Sequence, residues 1–285
     1  MRRLEAGSRA LARGEYAVKL EAAGSDELSD LARSFNTLGG ALERTEQGRI
    51  DLIGNVAHEL RAPLSALRGY AEALEDRILP PEKVALALER ELGAMERLVR
   101  DLSVVSRVEG GQLELHMGGV QVAEVFEAAL ERFLPAFEVQ DVKLSAHAEG
   151  ALEVLADPER VNQILANLLS NALRHTPAGG QVWLEAALEN KGVSLRVCDS
   201  GPGIPLEGRE RIFERFYRGD AARVRGEGSG IGLTVARGLA RAMGGELSVL
   251  SQPGQGSSFV LTLPSSPNQA GMAALSRHSR AKPNA

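Results

Sequence analysis

The sequence predicts a multidomain α plus α/β protein: a long antiparallel helical hairpin that pairs with a second copy into a four-helix bundle, followed by an α/β domain. Three observations carry that prediction. Ile50, Ile53, Ala57, Leu60, Leu64, Leu67, Ala71, Leu74 and Ile78 alternate spacings of three and four, the apolar seam of a helix packed along its whole length. The pair Pro80 and Pro81 stops that run, and Ala85, Leu88, Leu92, Met95, Val99 and Leu102 resume it to about Arg107, which gives the hairpin its second arm. Beyond "VEGGQLELHMGG" the pattern changes, and short β-rich runs alternate with helical ones to about Pro264.

In chain order, residues 1–45 read as two helices joined by an extended connector, "GEYAVKLEAAGSDE". The second helix, "DELSDLARSFNTLGGALERTEQ", carries a seam of Leu28, Leu31, Phe35, Leu38 and Leu42, softened at Gly39 and Gly40. Residues 46–110 form the hairpin. Its two arms alone leave apolar residues such as Leu52, Val56, Leu98 and Val105 half covered, and a homodimeric bundle is the economical way to cover them. The α/β domain spans 111–264, and "VEGGQLELHMGG" reads as the linker that leads into it. Its helices are "VAEVFEAALERFLPAFEVQ", "DPERVNQILANLLSNALRHT" and "GIGLTVARGLARAM"; its strands are "KLSAHAE", "LEVLAD", "QVWLEAAL", "GVSLRVCDS", "GELSVLSQ" and "SSFVLTL". Residues 265–285 lack periodicity and read as a disordered tail.

Composition narrows the chemistry. A formal charge of -5 argues against general nucleic-acid binding. The single Cys198 excludes an internal disulfide and a multi-cysteine metal site, and fits a small buried side chain in a reducing compartment. No run of 18 apolar residues occurs, so the chain as given reads as soluble.

The first candidate site lies in "NVAHELRAPLSALRGYAEAL". With Ala57 in the seam, His58 falls beside it and faces solvent. Pro63 gives no amide hydrogen to the Glu59 carbonyl and crowds that turn, so the helix loosens just after the histidine. A neutral imidazole is a nucleophile at cellular pH, and an adjacent carboxylate, Glu59, can hold the proton on its other nitrogen. "HELRA" lacks the second histidine of a zinc helix, which disfavours a metal there.

The second lies in the α/β domain. "CDSGPGIP" sets Asp199, Gly201 and Gly203 at the end of a strand, and "GEGSGIGLTVARGL" sets Gly226, Gly228, Gly230 and Gly232 before a helix. Glycines there let backbone amides approach an anion, whose charge the helix N-terminus favours. Neither GxGxxG nor a GK pair is present, so the two commonest nucleotide motifs are excluded. Asn167 and Asn171 are four apart on one helix face; two amide oxygens there suit a hydrated magnesium ion carrying phosphates, and Arg174 near them suits a phosphate.

HELRAP in a helical hairpin, the paired asparagines, DxGxG, "RIFERFYRGD" and a GxGxG loop, in that order, resemble the sensor histidine kinases of two-component systems over about residues 50–264. "DELSDLARSFNTL" resembles the second helix of a HAMP signal-relay module. The resemblance implies a Bergerat-type (GHKL) ATP-binding sandwich with ATP and Mg2+. It puts the phosphoacceptor at His58, its acid/base partner at Glu59, magnesium contacts at Asn171 and Asn167, and adenine recognition at Asp199 with Gly201 and Gly203. It puts the phosphate lid at Gly228, Gly230 and Gly232, phosphate contacts at Arg174 and Arg218, and a wall of the nucleotide pocket at His175. Phe213 and Phe216 match the family's aromatic segment, and Gly254 and Gly256 its late glycine turn. The implied activity is autophosphorylation of His58 and transfer to an aspartate of a response regulator. The implied setting is a homodimeric cytoplasmic domain tethered to the membrane in a longer parent. Ala62 departs from the Thr or Asn of many relatives; alanine forms no side-chain hydrogen bond, which implies weak phosphatase activity toward the regulator. The alternatives are a GHKL-type ATPase, which leaves HELRAP unexplained, and a dimeric scaffold without kinase activity, which leaves the asparagine and glycine elements unexplained.

Overall fold

The computed structural model describes residues 2–21, 26–189, 192–218 and 229–267. The chain divides into two compact units, Met1–Leu92 and Gly93–Ala285.

The first unit is helical. It contains α1 (Arg2–Ala12), α2 (Glu27–Glu75) and the start of α3 (Pro81–Glu109). The α2 helix runs for 49 residues, so the two seams expected on separate segments lie on one rod. Asp26 caps its start by accepting the Ser29 amide at 3.0 Å. Gly39 does not interrupt it, because the missing Cβ is used: one built there would lie 3.4 Å from the Leu11 side chain and 3.5 Å from the Tyr16 carbonyl. Asn36 fastens the connector to α2 with two bonds, accepting the Leu20 amide at 2.8 Å and donating to the Leu20 carbonyl at 2.8 Å.

The end of α2 departs from expectation. Ile78, the last residue of the predicted seam, lies outside the helix, which stops at Glu75. Arg77 turns left-handed at φ 55°, its amide reaching the Leu74 carbonyl while that of Ile78 reaches the Ala73 carbonyl at 2.9 Å. That is a Schellman cap with arginine in the place usually taken by glycine. Periodicity cannot report it, since Ile78 continues the spacing in sequence after the helix has ended.

On α3 the two apolar faces change places relative to expectation. Val84, Leu98 and Val105 are buried, whereas the seam residues Leu92 and Val99 are 52% and 58% exposed. Ala85 and Val99 of the seam each follow a larger or equally apolar neighbour, Val84 and Leu98. The apolar stripe is therefore wide enough for either face to be covered first. On α2 the seam likewise stays open at Ile50, Ile53, Leu64 and Leu74, while Leu52, Val56, Leu60 and Leu67 are half-buried.

The second unit holds a five-stranded sheet in the order β2-β4-β5-β7-β6, formed by β2 (Lys143–Ala148), β4 (Gln181–Glu189), β5 (Gly192–Asp199), β7 (Ser257–Leu263) and β6 (Glu246–Ser251). Among the described strands of this sheet, β2 and β4 pair in parallel and the other neighbours are antiparallel. The helices α4 (Val122–Val139), α5 (Pro158–His175) and α6 (Gly232–Ala242) lie side by side on the sheet. Strand alternation selects the face beneath them: Val182, Leu184, Val193, Leu195, Phe259 and Leu261 are almost fully buried, against Ile164, Leu165, Leu168 and Leu169 of α5. Asp157 caps α5, accepting the amides of Glu159 and Arg160 at 2.9 and 3.3 Å, with Pro158 at the first helical position.

Two further expectations are corrected. The linker hides a strand, β1 (Gly118–Gln121), antiparallel to β3 (Glu153–Ala156). Two of its four residues are glycine, so it has no alternating pattern to read. The expected tail begins as structure: Ser265 bridges Val154 and the Ser266 amide donates to the Glu153 carbonyl at 3.1 Å, while 268–285 lie outside the described residues.

Candidate functional site

His58 and Glu59 lie on α2 in the first unit; the remaining candidates belong to the second. The register that places Ala57 on the open seam leaves the His58 imidazole exposed and Glu59 half-buried, with Ala62 exposed one turn on. Pro63 is accommodated inside the helix, whose 3.6-residue repeat sets it more than a turn past the imidazole. An exposed imidazole at the rim of an apolar stripe can meet a bulky partner without unpacking the helix that carries it.

In the second unit the candidates fall in two groups: Asp199, Gly201, Gly203 and the His175 carbonyl at the carboxyl end of β5, and Asn167, Gly230 and Gly232 at the start of α6. Asp199 is the last residue of β5 and is 6% exposed. Burial pushes its carboxyl up from the ordinary aspartate range, and the backbone N–H groups of Gly201 and Ser257 oppose that by donating to it. The Gly201 amide lies 2.9 Å from the carboxylate. Two loops close the cradle. A Cβ on Gly201 would stand 2.8 Å from both the Asp199 carboxylate and the His175 carbonyl, which shows how tightly the loop passes the end of α5. Gly203, at φ 73°, leaves no room for a Cβ beside the Gln252 carbonyl, and Gly256, at φ 79°, leaves none beside the Asp199 carbonyl. The Gly254 amide donates to the Pro202 carbonyl at 2.7 Å, and the Ser251 hydroxyl accepts the Ile204 amide while donating to the Gly256 carbonyl, both at 2.8 Å. Glycine here buys backbone-to-backbone contact, which makes the acid end of β5 a rigid, small-walled recess.

Asn167 and Asn171 are half-buried on α5, and the Asn167 amide group donates to the Gly232 carbonyl at 3.0 Å. Asn167 thus ties α5 to the first residue of α6, and that bond leaves its side-chain oxygen for another partner. The first-turn amides of α6 face no intrahelical acceptor, the usual arrangement for meeting an anion. Gly230 sits two residues before the start of α6 at φ 68°, pressed against Phe216 and Tyr217, and its carbonyl accepts the Phe216 amide at 3.0 Å. His175 is half-buried at the end of α5, Arg174 is exposed beside it, and Arg218 is half-buried. Gly226 and Gly228 lie outside the described residues.

The structure also identifies groups that sequence reasoning passed over. Ser251 and Ser257, with hydroxyls 3.0 Å apart, brace the recess from β6 and β7. The phrase "PGQGSSF" marked the glycine turn but not the serines. Phe213 is buried, its ring under the Arg237 guanidinium at 4.7 Å and its carbonyl bonded by the Thr234 hydroxyl at 2.9 Å, so packing on α6 is its evident role. Among the described residues no three His, Cys, Asp or Glu side chains converge as a metal cage, and no helix is long and apolar enough to cross a membrane.

Three family models match along the chain: the HAMP domain over residues 1–44, the His Kinase A (phospho-acceptor) domain over 49–111, and the histidine kinase-, DNA gyrase B-, and HSP90-like ATPase over 156–267. The signal transduction histidine-protein kinase BaeS of Escherichia coli is 35% identical over 267 residues, covering 93% of this chain and 57% of its own length. The chain thus spans a little over half of that relative. Among solved structures, the Acinetobacter baumannii histidine kinase AdeS superposes with a TM-score of 0.63 at 26% identity, over 73% of this chain and 97% of that one. Full-length ShkA, in complex with AMPPNP, superposes with a TM-score of 0.58 at 30% identity, over 76% of this chain and 46% of that one.

Proposed function

The chain belongs to the sensor histidine kinase family, and we propose that it is an ATP-dependent kinase that phosphorylates its own His58 and passes the phosphoryl group to an aspartate of a response regulator. One observation carries the reading: a single chain holds both an exposed imidazole beside a carboxylate on a seam helix and a glycine-walled recess ending in a buried carboxylate. The first has the form of a nucleophile and the second of a purine pocket.

In this reading the Asp199 carboxylate accepts a hydrogen bond from the adenine amino group, held in place by the amides of Gly201 and Ser257. The first turn of α6, with Gly230 and Gly232, presents amides to the phosphates, and Arg174 and Arg218 neutralise their charge. The oxygens of Asn167 and Asn171 fit Mg2+, an ion that prefers oxygen donors and retains water; bound there, it would neutralise charge on the phosphate oxygens. Imidazole attacks the γ-phosphorus in line, the bond to the ADP oxygen breaks, and Glu59 holds the proton on the other ring nitrogen as positive charge develops. The open seam at Ile50, Ile53, Leu64, Leu92 and Val99 fits a second copy of the chain, giving a homodimeric four-helix bundle. The HAMP match over 1–44 supports a cytoplasmic domain tethered to the membrane through a longer parent.

Incubation with γ-labelled ATP and magnesium tests this reading: acid-labile, base-stable label is expected on the protein, chasing onto a receiver domain when one is added. Steady phosphate release with no phosphoprotein would favour a plain ATPase instead. Ala62 adds a finer expectation, slow dephosphorylation of the regulator that accelerates in Ala62→Thr. A rate already matching relatives with threonine there, unchanged by the substitution, would count against it.

A further inference from the structure

The last turn of α3 touches the ATP-binding region at two points, both within the Gly93–Ala285 unit. Glu109, its final residue, forms an ion pair with Arg215. Val108 sits against Gly238 of α6, where an added Cβ would come within 3.2 Å of its methyl. The turn is held firmly, because Gly111 at φ 62° closes a Schellman cap in which the Gln112 amide reaches the Arg107 carbonyl at 2.9 Å.

Arg215 is placed to do more than hold a surface. Its side chain is 28% exposed and that of Glu109 is 47% exposed, so the pair is partly shielded from solvent screening. Burial pushes the guanidinium down from its ordinary value, the direction expected of a charge drawn out of solvent. The next residue, Phe216, adopts φ 60°, a left-handed conformation that is uncommon for a large side chain, and its N–H donates a hydrogen bond to the Gly230 carbonyl. Gly230 leads directly into the α6 turn that Asn167 grips at Gly232.

We infer that Arg215 is a positioning residue for the nucleotide site: anchored to Glu109, it fixes Phe216 against Gly230 and so sets the α6 N-terminus, coupling nucleotide affinity to the end of α3. The inference rests on the reading of the recess as an ATP site. Glu109 meets Arg215, next to the Phe216 that bonds Gly230 ahead of α6, and Val108 meets Gly238 on α6 itself. A shift of the α3 end therefore moves the anion-facing turn, and by reciprocity nucleotide binding biases the α3 end.

The test is calorimetric titration of the full chain with magnesium and a non-hydrolysable ATP analogue. Glu109→Gln and Arg215→Gln are each expected to weaken binding about five- to tenfold. The double variant should be no weaker than either single one, and the charge swap Glu109→Arg with Arg215→Glu should recover most of the loss. At saturating nucleotide the phosphorylation rate should fall less than the affinity, the split expected of a residue that acts on binding. Unchanged affinity in Glu109→Gln, or losses that add in the double variant, would overturn the inference. If Arg215→Gln unfolds the chain, Glu109→Gln alone still decides. A wild-type chain that binds no analogue would refute the ATP reading itself, an outcome distinct from failure of the coupling.

Discussion

The two units solve the burial of apolar surface in opposite ways. In the second, Leu184, Leu195, Leu261 and Phe259 of the sheet and Ile164, Leu165 and Leu168 of α5 are all at most 1% exposed. In the first, Ile50, Ile53 and Leu64 on α2 are 54%, 61% and 53% exposed although their spacing is the most regular in the chain. Regular spacing alone therefore does not mean burial within the same chain. A closed core makes a unit that can hold a small molecule rigidly, and an open stripe makes one that can be completed from outside, so the proposed nucleotide recess and the proposed phosphoacceptor sit on surfaces suited to different partners.

The contrast between the two units is most exposed to mutation at the seam. Glutamates at Ile53 and Leu64 remove two large apolar side chains per copy and bury charge; at about 1.5–3 kcal/mol per side chain the dimer should weaken by more than about a thousandfold. Sedimentation equilibrium at micromolar concentration should then show a monomer, whereas an intact dimer would mean the partner sits elsewhere. Next in size is Asp199→Asn, which should cost about 10- to 100-fold in nucleotide affinity through loss of a charged acceptor. It should not lower the melting temperature of the nucleotide-free chain at neutral pH. The folded carboxyl is raised by burial, so its contribution to stability is complete below the ordinary aspartate pKa and is lost as pH rises through the folded value. Removing the charge removes that loss.

Asp157 behaves in the opposite sense. Burial favours its neutral form, but the amides of His116, Arg160 and Glu159 outweigh that and lower its pKa. Its stabilisation is present above the ordinary value and disappears as pH falls through the folded one. Asp157→Ala should cost about 1–2 kcal/mol in urea unfolding at pH 7 and flatten the acid limb of the stability profile. An unaltered acid limb would assign the acid sensitivity to other carboxylates. The smallest effect is expected from Asn36→Ala, about 1 kcal/mol and confined to the first unit. It should show as faster hydrogen exchange at Leu20, whose amide loses its acceptor.

How far the sequence could be read follows the same division. Periodicity located α4, α5, α6 and strands β2 to β7 because each alternates or repeats against a core in its own chain. It located the rod of α2 but assigned the wrong α3 face to the interior, because two adjacent apolar stripes leave the choice to tertiary packing. Strand β1 escaped because glycine carries no pattern, and the stop at Glu75 because a left-handed arginine has no sequence signal as strong as glycine. For the site, Asp199 and the glycines were legible as motifs, since the geometry tolerates nothing else at Gly203 and Gly256. The Glu109–Arg215 pair was not, because the residues are far apart in sequence and each looks like an ordinary surface charge.

The division of labour between the two units is tested most directly by His58→Gln. Titrated with an ATP analogue and then incubated with γ-labelled ATP, this variant should bind nucleotide as tightly as the wild-type chain and take up no acid-labile label. Label retained on His58→Gln would contradict the account by placing the phosphoacceptor elsewhere.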